Sequence, residues 1–209
     1  MSSTAAPGVL PDEFYARPVL EVAPNLLGCV VERGSTSGVI VETEAYHDSE
    51  PACHAFVGLT ARTATLFGGP GRAYVYRAYG IHAMLNAVCE PEGVGAAVLI
   101  RALEPLRGVE LMRRRRGVAR TTELCSGPGK LTEALAIRFS DNGCDLARGP
   151  VRILARPPGW EGLPVSSGAR IGITKAAELP WRFAVAGNPN VSRPHPWPSA
   201  PRRRAAARR

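Results

Sequence analysis

An apolar stretch that ends in carboxylates constrains this chain more than any other segment. Residues 39–46 read Val-Ile-Val-Glu-Thr-Glu-Ala-Tyr, and the apolar start is typical of a buried strand. Side chains of a strand alternate between its two faces, so Glu42, Glu44 and Tyr46 share one face. A strand that simply reaches the surface would also carry exposed acids. The pattern therefore predicts a strand whose end carries two acids and a ring, at a pocket wall or at the surface.

Four further motifs accompany this strand in a fixed order along the chain. They are Leu-Leu-Gly at 26–28, Gly-Arg-Ala-Tyr-Val-Tyr-Arg-Ala-Tyr-Gly at 71–80 leading to Asn86, Val-Leu-Ile-Arg-Ala-Leu-Glu-Pro at 98–105, and Leu-Cys-Ser-Gly-Pro-Gly-Lys-Leu at 124–131. Together they resemble the alkyladenine (3-methyladenine) DNA glycosylases over about residues 18–192. Several ordered motifs with suitable gaps are far more specific than any one of them.

The length and composition favour one domain. A chain of 209 residues with 45% hydrophobic content can bury a sizeable core. We expect a glycosylase-like domain over residues 12–192, a flexible N-terminus over 1–11 and a basic, disordered tail over 193–209. No apolar run reaches the roughly 18 residues of a membrane span, and the N-terminus lacks a secretory pattern. These features predict a cytoplasmic protein that associates with the nucleoid through DNA.

The charge of the chain points to an anionic partner. The net charge is +8 and the isoelectric point is about 9.8, and nucleic acid is the usual partner of such a chain. Five arginines of the tail supply +5 of this charge, which leaves +3 over the first 201 residues. A second cluster of four arginines occupies residues 113–116, and part of it must meet solvent or phosphate.

The motifs and local patterns predict a mixed α/β (α+β) fold. Helices are predicted over residues 12–27, with Asp12 as a cap and a break at Pro18, and over 106–116 and 131–137. Strands are predicted over 29–32, 37–44, 73–79, 83–89, 96–102, 151–155, 169–173 and 181–185. We expect a single compact domain with a curved, largely antiparallel sheet, surrounding helices and a protruding β-hairpin that inserts into DNA.

The resemblance assigns the hydrolytic roles. Removing a base by hydrolysis needs a general base, a held water and an extruded nucleotide. By resemblance Glu44 is the general base, Arg101 holds the water and a nearby phosphate, and the main-chain carbonyl of Ile171 also holds the water. From the residues alone, Glu44 also fits a surface acid and Arg101 a structural ion pair. Arg101 closes an apolar run and needs an anion, for which Glu44 is a natural partner.

The resemblance also implies a pocket for a flipped base. Tyr46, His54 and Tyr76 match the rings that sandwich the base, and stacking of this kind contributes about 1–3 kcal/mol per base. Electron-rich rings attract the cationic alkylated purines further. Asn86 matches the position that crowds the exocyclic amine of guanine. Without the resemblance, paired tyrosines fit cross-strand packing and Asn86 fits a hydrogen-bonded core amide.

The tip of the predicted hairpin matches the family's DNA wedge. Tyr79 would fill the gap that the flipped nucleotide leaves, because aromatic wedges in the minor groove are a general device for kinking DNA. Arg77 and His82 flank Tyr79 and could contact phosphates or bases.

The sequence suggests no metal and no organic cofactor. The five cysteines are widely spaced with no Cys-x-x-Cys pair, and they are expected to be reduced and mostly buried. Cys53 and His54 are adjacent, which is poor geometry for a metal site. No lysine lies near the Glu44 and Arg101 motifs in sequence, so a strand-cleaving Schiff-base route is not expected.

Three functions compete for this pattern. The first is a monofunctional, monomeric glycosylase that removes alkylated and also deaminated purines from double-stranded DNA, without an obligate protein partner. The second is a catalytically silent damaged-DNA-binding protein with the same fold. The third is a sugar hydrolase that uses Glu42 and Glu44 as its two carboxylates. The basic charge and the Tyr79 hairpin favour the first.

Overall fold

An antiparallel sheet forms the body of the molecule. The structure is a computed structural model that describes residues 8–78 and 80–195. Within these residues it contains eight strands, namely β1 (Val30–Arg33), β2 (Thr36–His47), β3 (Ala73–Ala78), β4 (His82–Val88), β5 (Ala96–Arg107), β6 (Val151–Leu154), β7 (Val165–Gly168) and β8 (Arg182–Val185). The main order is β3-β4-β5-β2-β1-β6, while β8 pairs with both β2 and β7. This sheet curls over the core, and the predicted mixed α/β fold is confirmed.

Five short α-helices surround the sheet in the described part of the chain. They are α1 (Asp12–Tyr15), α2 (Val19–Asn25), α3 (Val109–Arg116), α4 (Thr121–Leu124) and α5 (Pro128–Leu135). Single 3-10 turns occupy His54–Val57, Ala64–Phe67 and Phe139–Asp141. Helix α5 begins with proline, whose fixed φ suits the first helical turn. Its Thr132 hydroxyl donates to the Ala83 carbonyl at 2.8 Å, which attaches the helix to β4.

The central strand β2 changes its partner at the acidic motif. On one side β2 pairs with β5 along most of its length. On the other side it pairs with β1 up to Val39 and with β8 from Glu42 to Glu44. The register with β5 shifts on both sides of Glu42, so a bulge lies within the acidic segment. Bulges re-aim side chains, and this one lies where the two carboxylates leave the apolar run.

Three sequence-based assignments are wrong in detail. Asp12 lies in the first turn of α1 and Pro11 holds the cap position, so Asp12 is a first-turn acid and not the cap. The helix predicted over residues 106–116 begins only at Val109. Strand β5 runs beyond its predicted end at residue 102 as far as Arg107, and Gly108, in the left-handed region, then separates the strand from α3. The predicted strand over residues 169–173 is a loop, and β7 precedes it. Gly172 has a φ of +77°, and the preceding amide binds a side chain instead of a strand.

The five cysteines are reduced, as predicted, and are withdrawn from solvent. Cys29, Cys53, Cys89 and Cys125 are buried, and Cys144 is half-buried. Burial raises the pKa of the thiol to about 11 in Cys29 and Cys53 and to about 12 in Cys125. It raises the pKa of Cys89 and Cys144 as well. All five side chains are therefore protonated thiols at neutral pH.

Among residues 8–78 and 80–195, no helix is long and apolar enough to cross a bilayer.

Candidate active site

Glu44 is completely buried and its carboxylate is held from three directions. One oxygen, Oε2, accepts from the Tyr46 hydroxyl at 2.8 Å and from Nη1 of Arg101 at 3.1 Å. The other oxygen, Oε1, accepts from the main-chain N–H of Ile171 at 2.7 Å. Such charge-assisted hydrogen bonds fix the orientation of a carboxylate. The predicted proximity of Glu44, Tyr46 and Arg101 is therefore present in the structure.

Arg101 lies within β5 and connects the two carboxylates of β2. Its Nε donates to Oε1 of Glu42 at 3.0 Å, while Nη1 binds Glu44. Its Nη2 reaches the Ser192 hydroxyl at 3.4 Å. Burial by itself would lower the pKa of Arg101, but the adjacent Glu44 and Glu42 outweigh it and raise the pKa. Arg101 is thus a fixed cation, and only 6% of its surface is exposed.

Glu42 is the centre of a buried ion network. Besides Arg101, it accepts from Nε of Arg182 at 2.7 Å and from the N–H and hydroxyl of Ser192 at 2.7 and 2.8 Å. It is fully buried. Two carboxylates, Glu42 and Glu44, therefore face two guanidinium groups, and the formal charges balance. The acceptor atoms of Glu42 are occupied by protein donors, which argues against a sugar hydrolase that uses it as a second acid.

A cavity of about 320 Å³ opens beside the Glu44 network. Its lining includes the four predicted pocket residues, Tyr46, His54, Tyr76 and Asn86. Tyr46 is the link, because it lines the cavity while its hydroxyl donates to Glu44. Burial and the neighbouring Glu44 raise the pKa of Tyr46, so the hydroxyl keeps the proton that it donates. The general-base candidate therefore lies one hydrogen bond from the cavity wall.

The aromatic wall includes a residue that sequence reasoning did not assign. Tyr74 also lines the cavity, and its ring stacks on Tyr76 with centroids 5.4 Å apart. The His54 ring meets Tyr76 edge-on at 4.6 Å. The signal for Tyr74 is the i, i+2 spacing of two tyrosines in β3, which puts both rings on one face.

Asn86 is a buried, hydrogen-bonded amide, and it also lines the cavity. Its Nδ2 donates to the Tyr74 carbonyl at 3.0 Å and to the Met84 carbonyl at 3.4 Å. These bonds to two strands fix the side-chain amide beside the cavity.

Residues 13–189 match the family model described as methylpurine-DNA glycosylase. The chain belongs to the methylpurine-DNA glycosylase family. A relative from Bradyrhizobium diazoefficiens, provisionally named a 3-methyladenine DNA glycosylase, is 54% identical over 88% of this chain and 90% of its own. A relative of the same name from Rubrobacter xylanophilus is 56% identical over 78% of this chain and 86% of its own.

In this methylpurine-DNA glycosylase family member, the loop that follows β7 completes the cavity. Ile171 supplies the N–H that binds Glu44, while Gly172, Ile173 and Thr174 line the wall. The role predicted for the Ile171 carbonyl stays a prediction. Lys175 also lines the cavity. The sequence contains no lysine near Glu44 or Arg101, yet the fold brings this one to the cavity, since β8 returns the chain to β2.

The hairpin of this glycosylase-family chain is formed by β3 and β4. Tyr79, the predicted wedge, lies outside the described residues. The flanking Arg77 and His82 are both exposed. The Arg77 guanidinium lies 4.5 Å from the centre of the Phe139 ring.

In the described part of the chain, no three His, Cys, Asp or Glu side chains are grouped as metal ligands would be.

Proposed function

We propose that this DNA glycosylase family member removes alkylated purines from double-stranded DNA by hydrolysing the N-glycosidic bond. The observation that supports the proposal most directly is the position of Glu44. It is a buried carboxylate, held by Arg101 and by the Ile171 amide, and it is linked through Tyr46 to an aromatic cavity. The volume of that cavity lies at the lower end of the roughly 300–1,000 Å³ of small-molecule pockets.

The proposed reaction needs one water and one general base. The water oxygen bonds to C1′ of the deoxyribose as the bond from C1′ to the purine nitrogen breaks, and Glu44 takes a proton from the water. A cationic alkylated purine then leaves as a neutral base, and an abasic site remains. Arg101 and the Ile171 amide fix the carboxylate. The Ile171 carbonyl is proposed as an acceptor for the same water.

The aromatic cavity is proposed to hold the flipped base. A nucleotide must leave the duplex stack before its glycosidic bond can be reached. The rings of Tyr46, His54 and Tyr76 line the cavity, and stacking on them offsets the lost stacking in DNA. We assign Asn86 to discrimination against guanine. Tyr79 is proposed as the wedge and Arg77 and His82 as DNA contacts. Deaminated purines are included in the proposed substrate range.

We propose a monofunctional enzyme although Lys175 lines the cavity. A lysine becomes a Schiff-base nucleophile when desolvation in an apolar site or a neighbouring cation activates its amine. Lys175 is exposed, so burial does not activate it. Reduction with borohydride during the reaction would trap any imine between a lysine and the sugar. We expect no trapped complex with the wild type, and a complex that disappears in Lys175→Ala would overturn this point.

The decisive experiment compares the wild type with Glu44→Gln on methylated duplex DNA. We expect the wild type to release 3-methyladenine, with strand breaks only after alkali, and the variant to bind DNA while releasing almost none. Glu32→Gln is the matched control because Glu32 also lies between two arginines but does not line the cavity. Normal release by Glu44→Gln would place the general base elsewhere. DNA binding without release by the wild type would favour a silent damage-binding protein.

A further inference from the structure

His54 is held at both ring nitrogens by residues outside the predicted site. Nη2 of Arg62 lies 3.1 Å from Nε2 of His54. On the other side of the ring, Nδ1 lies 3.1 Å from the Tyr74 hydroxyl. Arg62 is exposed and does not line the cavity, whereas His54 and Tyr74 do. The arginine therefore approaches His54 from outside the cavity.

The identity of the donors decides the protonation state of the ring. A guanidinium group only donates hydrogen bonds, so Nε2 of His54 must accept from Arg62. A ring nitrogen that accepts carries no proton. The single proton of the imidazole is then on Nδ1, where it is donated to the Tyr74 hydroxyl. This network assigns His54 as a neutral imidazole with a defined tautomer.

The surroundings of His54 also disfavour a positive charge on it. Burial, and then the adjacent Arg62, lower the pKa of His54 below its ordinary value of 6.5. The other groups that face the ring are neutral at physiological pH, since burial raises the pKa of Tyr76 to about 12 and that of Cys53 to about 11. Burial raises the pKa of Tyr74 as well. Arg62 is therefore the charged group in direct contact with His54, and Lys175 shares the cavity lining.

We propose that Arg62 is a specificity-determining residue, which keeps the His54 ring neutral so that the cavity accepts purines that carry a positive charge. This inference rests on the proposed function. Alkylation at a ring nitrogen makes a purine cationic, and a protonated imidazole beside it would repel it. A neutral ring instead presents its electron-rich face to the cation. Arg62 acts through His54 and touches no reacting atom.

The first arm of the test is a titration that needs no substrate. NMR signals of the four histidines are followed from pH 4.5 to 8.5 in the wild type, Arg62→Gln, Arg62→Lys and the control Arg120→Gln, with His54→Gln to assign the signal. Arg120 is exposed and pairs with Glu123, away from the cavity. We expect the pKa of His54 to rise in Arg62→Gln, because the adjacent positive charge is removed while the ring stays buried. It should rise less in Arg62→Lys and stay unchanged in the control.

The second arm measures excision of 3-methyladenine, which stays cationic in DNA over this range, and of neutral hypoxanthine at pH 5.5 and pH 8. In Arg62→Gln we expect the ratio of the two rates, cationic over neutral, to fall at least about twofold at pH 5.5 and to recover at pH 8. A merely structural role would lower both rates in parallel at both pH values, and that result would overturn the proposal. A His54 titration that is unchanged in Arg62→Gln would overturn it too. Failure of the proposed function would instead appear as no release by the wild type at any pH.

Discussion

The Arg170 guanidinium lies 4.6 Å from the centre of the Tyr46 ring. The same group forms a two-point ion pair with Glu50, at 2.6 and 3.0 Å, and donates to the Ala45 carbonyl at 2.9 Å. Arg170 also directly precedes Ile171, whose amide holds Glu44. A single buried arginine therefore fixes both a ring of the cavity and the loop that orients the proposed general base.

Removing the carboxylate partner of Arg170 should be costly. In Glu50→Gln the buried guanidinium loses its counter-charge, and we expect the free energy of unfolding to fall by about 3–5 kcal/mol. The exposed pair of Arg120 and Glu123 provides the control, because Glu123→Gln should change it by at most about 1 kcal/mol. Urea unfolding of both variants measures the difference. Equal losses of the free energy of unfolding in the two variants would mean that the buried pair of Arg170 and Glu50 stabilises the fold no more than an exposed pair.

Replacing Glu42 should destabilise the protein far more than replacing Glu32. Each glutamate lies between two arginines, but the partners of Glu42 are buried and those of Glu32 are largely exposed. Glu42→Gln should lower the free energy of unfolding by about 3–5 kcal/mol, whereas Glu32→Gln should lower it by about 1 kcal/mol or less. Excision measured well below the melting temperature should fall in Glu42→Gln, since Arg101 loses the group that holds its Nε.

Gly95 should resist even a single methyl group. A Cβ at this position would lie 2.4 Å from the Ala55 Cβ and 3.0 Å from the Phe67 ring. Gly95→Ala must push away the segment that carries His54, and overpacking of this kind costs about 1–3 kcal/mol. Gly69→Ala, at an open position, is the matched control and should change stability by less than about 0.5 kcal/mol. Thermal unfolding and excision of both variants test this, and normal excision by Gly95→Ala would contradict it.

The run of four arginines should contribute to stability through Arg115. Its Nη1 donates to the Ala134 carbonyl at 2.7 Å, near the end of α5, while Arg114 is exposed. We expect Arg115→Ala to lower the free energy of unfolding by about 1–2 kcal/mol, because a helix-end carbonyl loses its donor. Arg114→Ala should leave stability within about 0.5 kcal/mol. Chemical unfolding of the two variants distinguishes them, and the reverse order would refute the assignment.

Acid should weaken the fold partly through His54. Its pKa is lower in the folded protein than in the unfolded chain, so the unfolded state binds more protons as the pH falls below about 6.5. The contribution of the neutral ring is therefore complete above pH 6.5 and is lost as the pH falls. Between pH 7.5 and pH 5, His54→Gln should lose less stability than the wild type. A parallel decline in both proteins would exclude this contribution.

Local patterns predicted which side chains meet at the centre of the candidate site, while the family resemblance was needed to assign their roles. The period of two along β2 placed Glu42, Glu44 and Tyr46 on one face, and an arginine in an apolar run had to find an anion. The ion pairs of Arg101 with Glu44 and Glu42 confirm that expectation. Strand pairing supplies the rest, because Glu44 lies opposite Leu99 and Glu42 opposite Ala102, on either side of Arg101.

Residues that act over long chain separations could not be predicted in the same way. Glu50 and Arg170 are 120 positions apart, and Glu42 and Ser192 are 150 apart. Neither pair has a local signal, since each arises from the return of the chain through β8 to β2. The arginines at residues 113–116 show the same limit. The sequence predicts that part of the run meets solvent or phosphate, and Arg114 is exposed. No local pattern predicts that the other three are engaged by side chains or carbonyls of the protein, namely Arg113, Arg115 and Arg116.

The burial of the cysteines has a consequence for how the protein reacts with methylating agents. Methylating agents are electrophiles that attack thiolates as well as purines, and the thiolate, not the thiol, is the reactive form. Four of the five cysteines are buried, and burial keeps every one of them protonated at neutral pH. We therefore expect the cysteines to resist alkylation by the same methylating agents that would generate the proposed substrates in DNA.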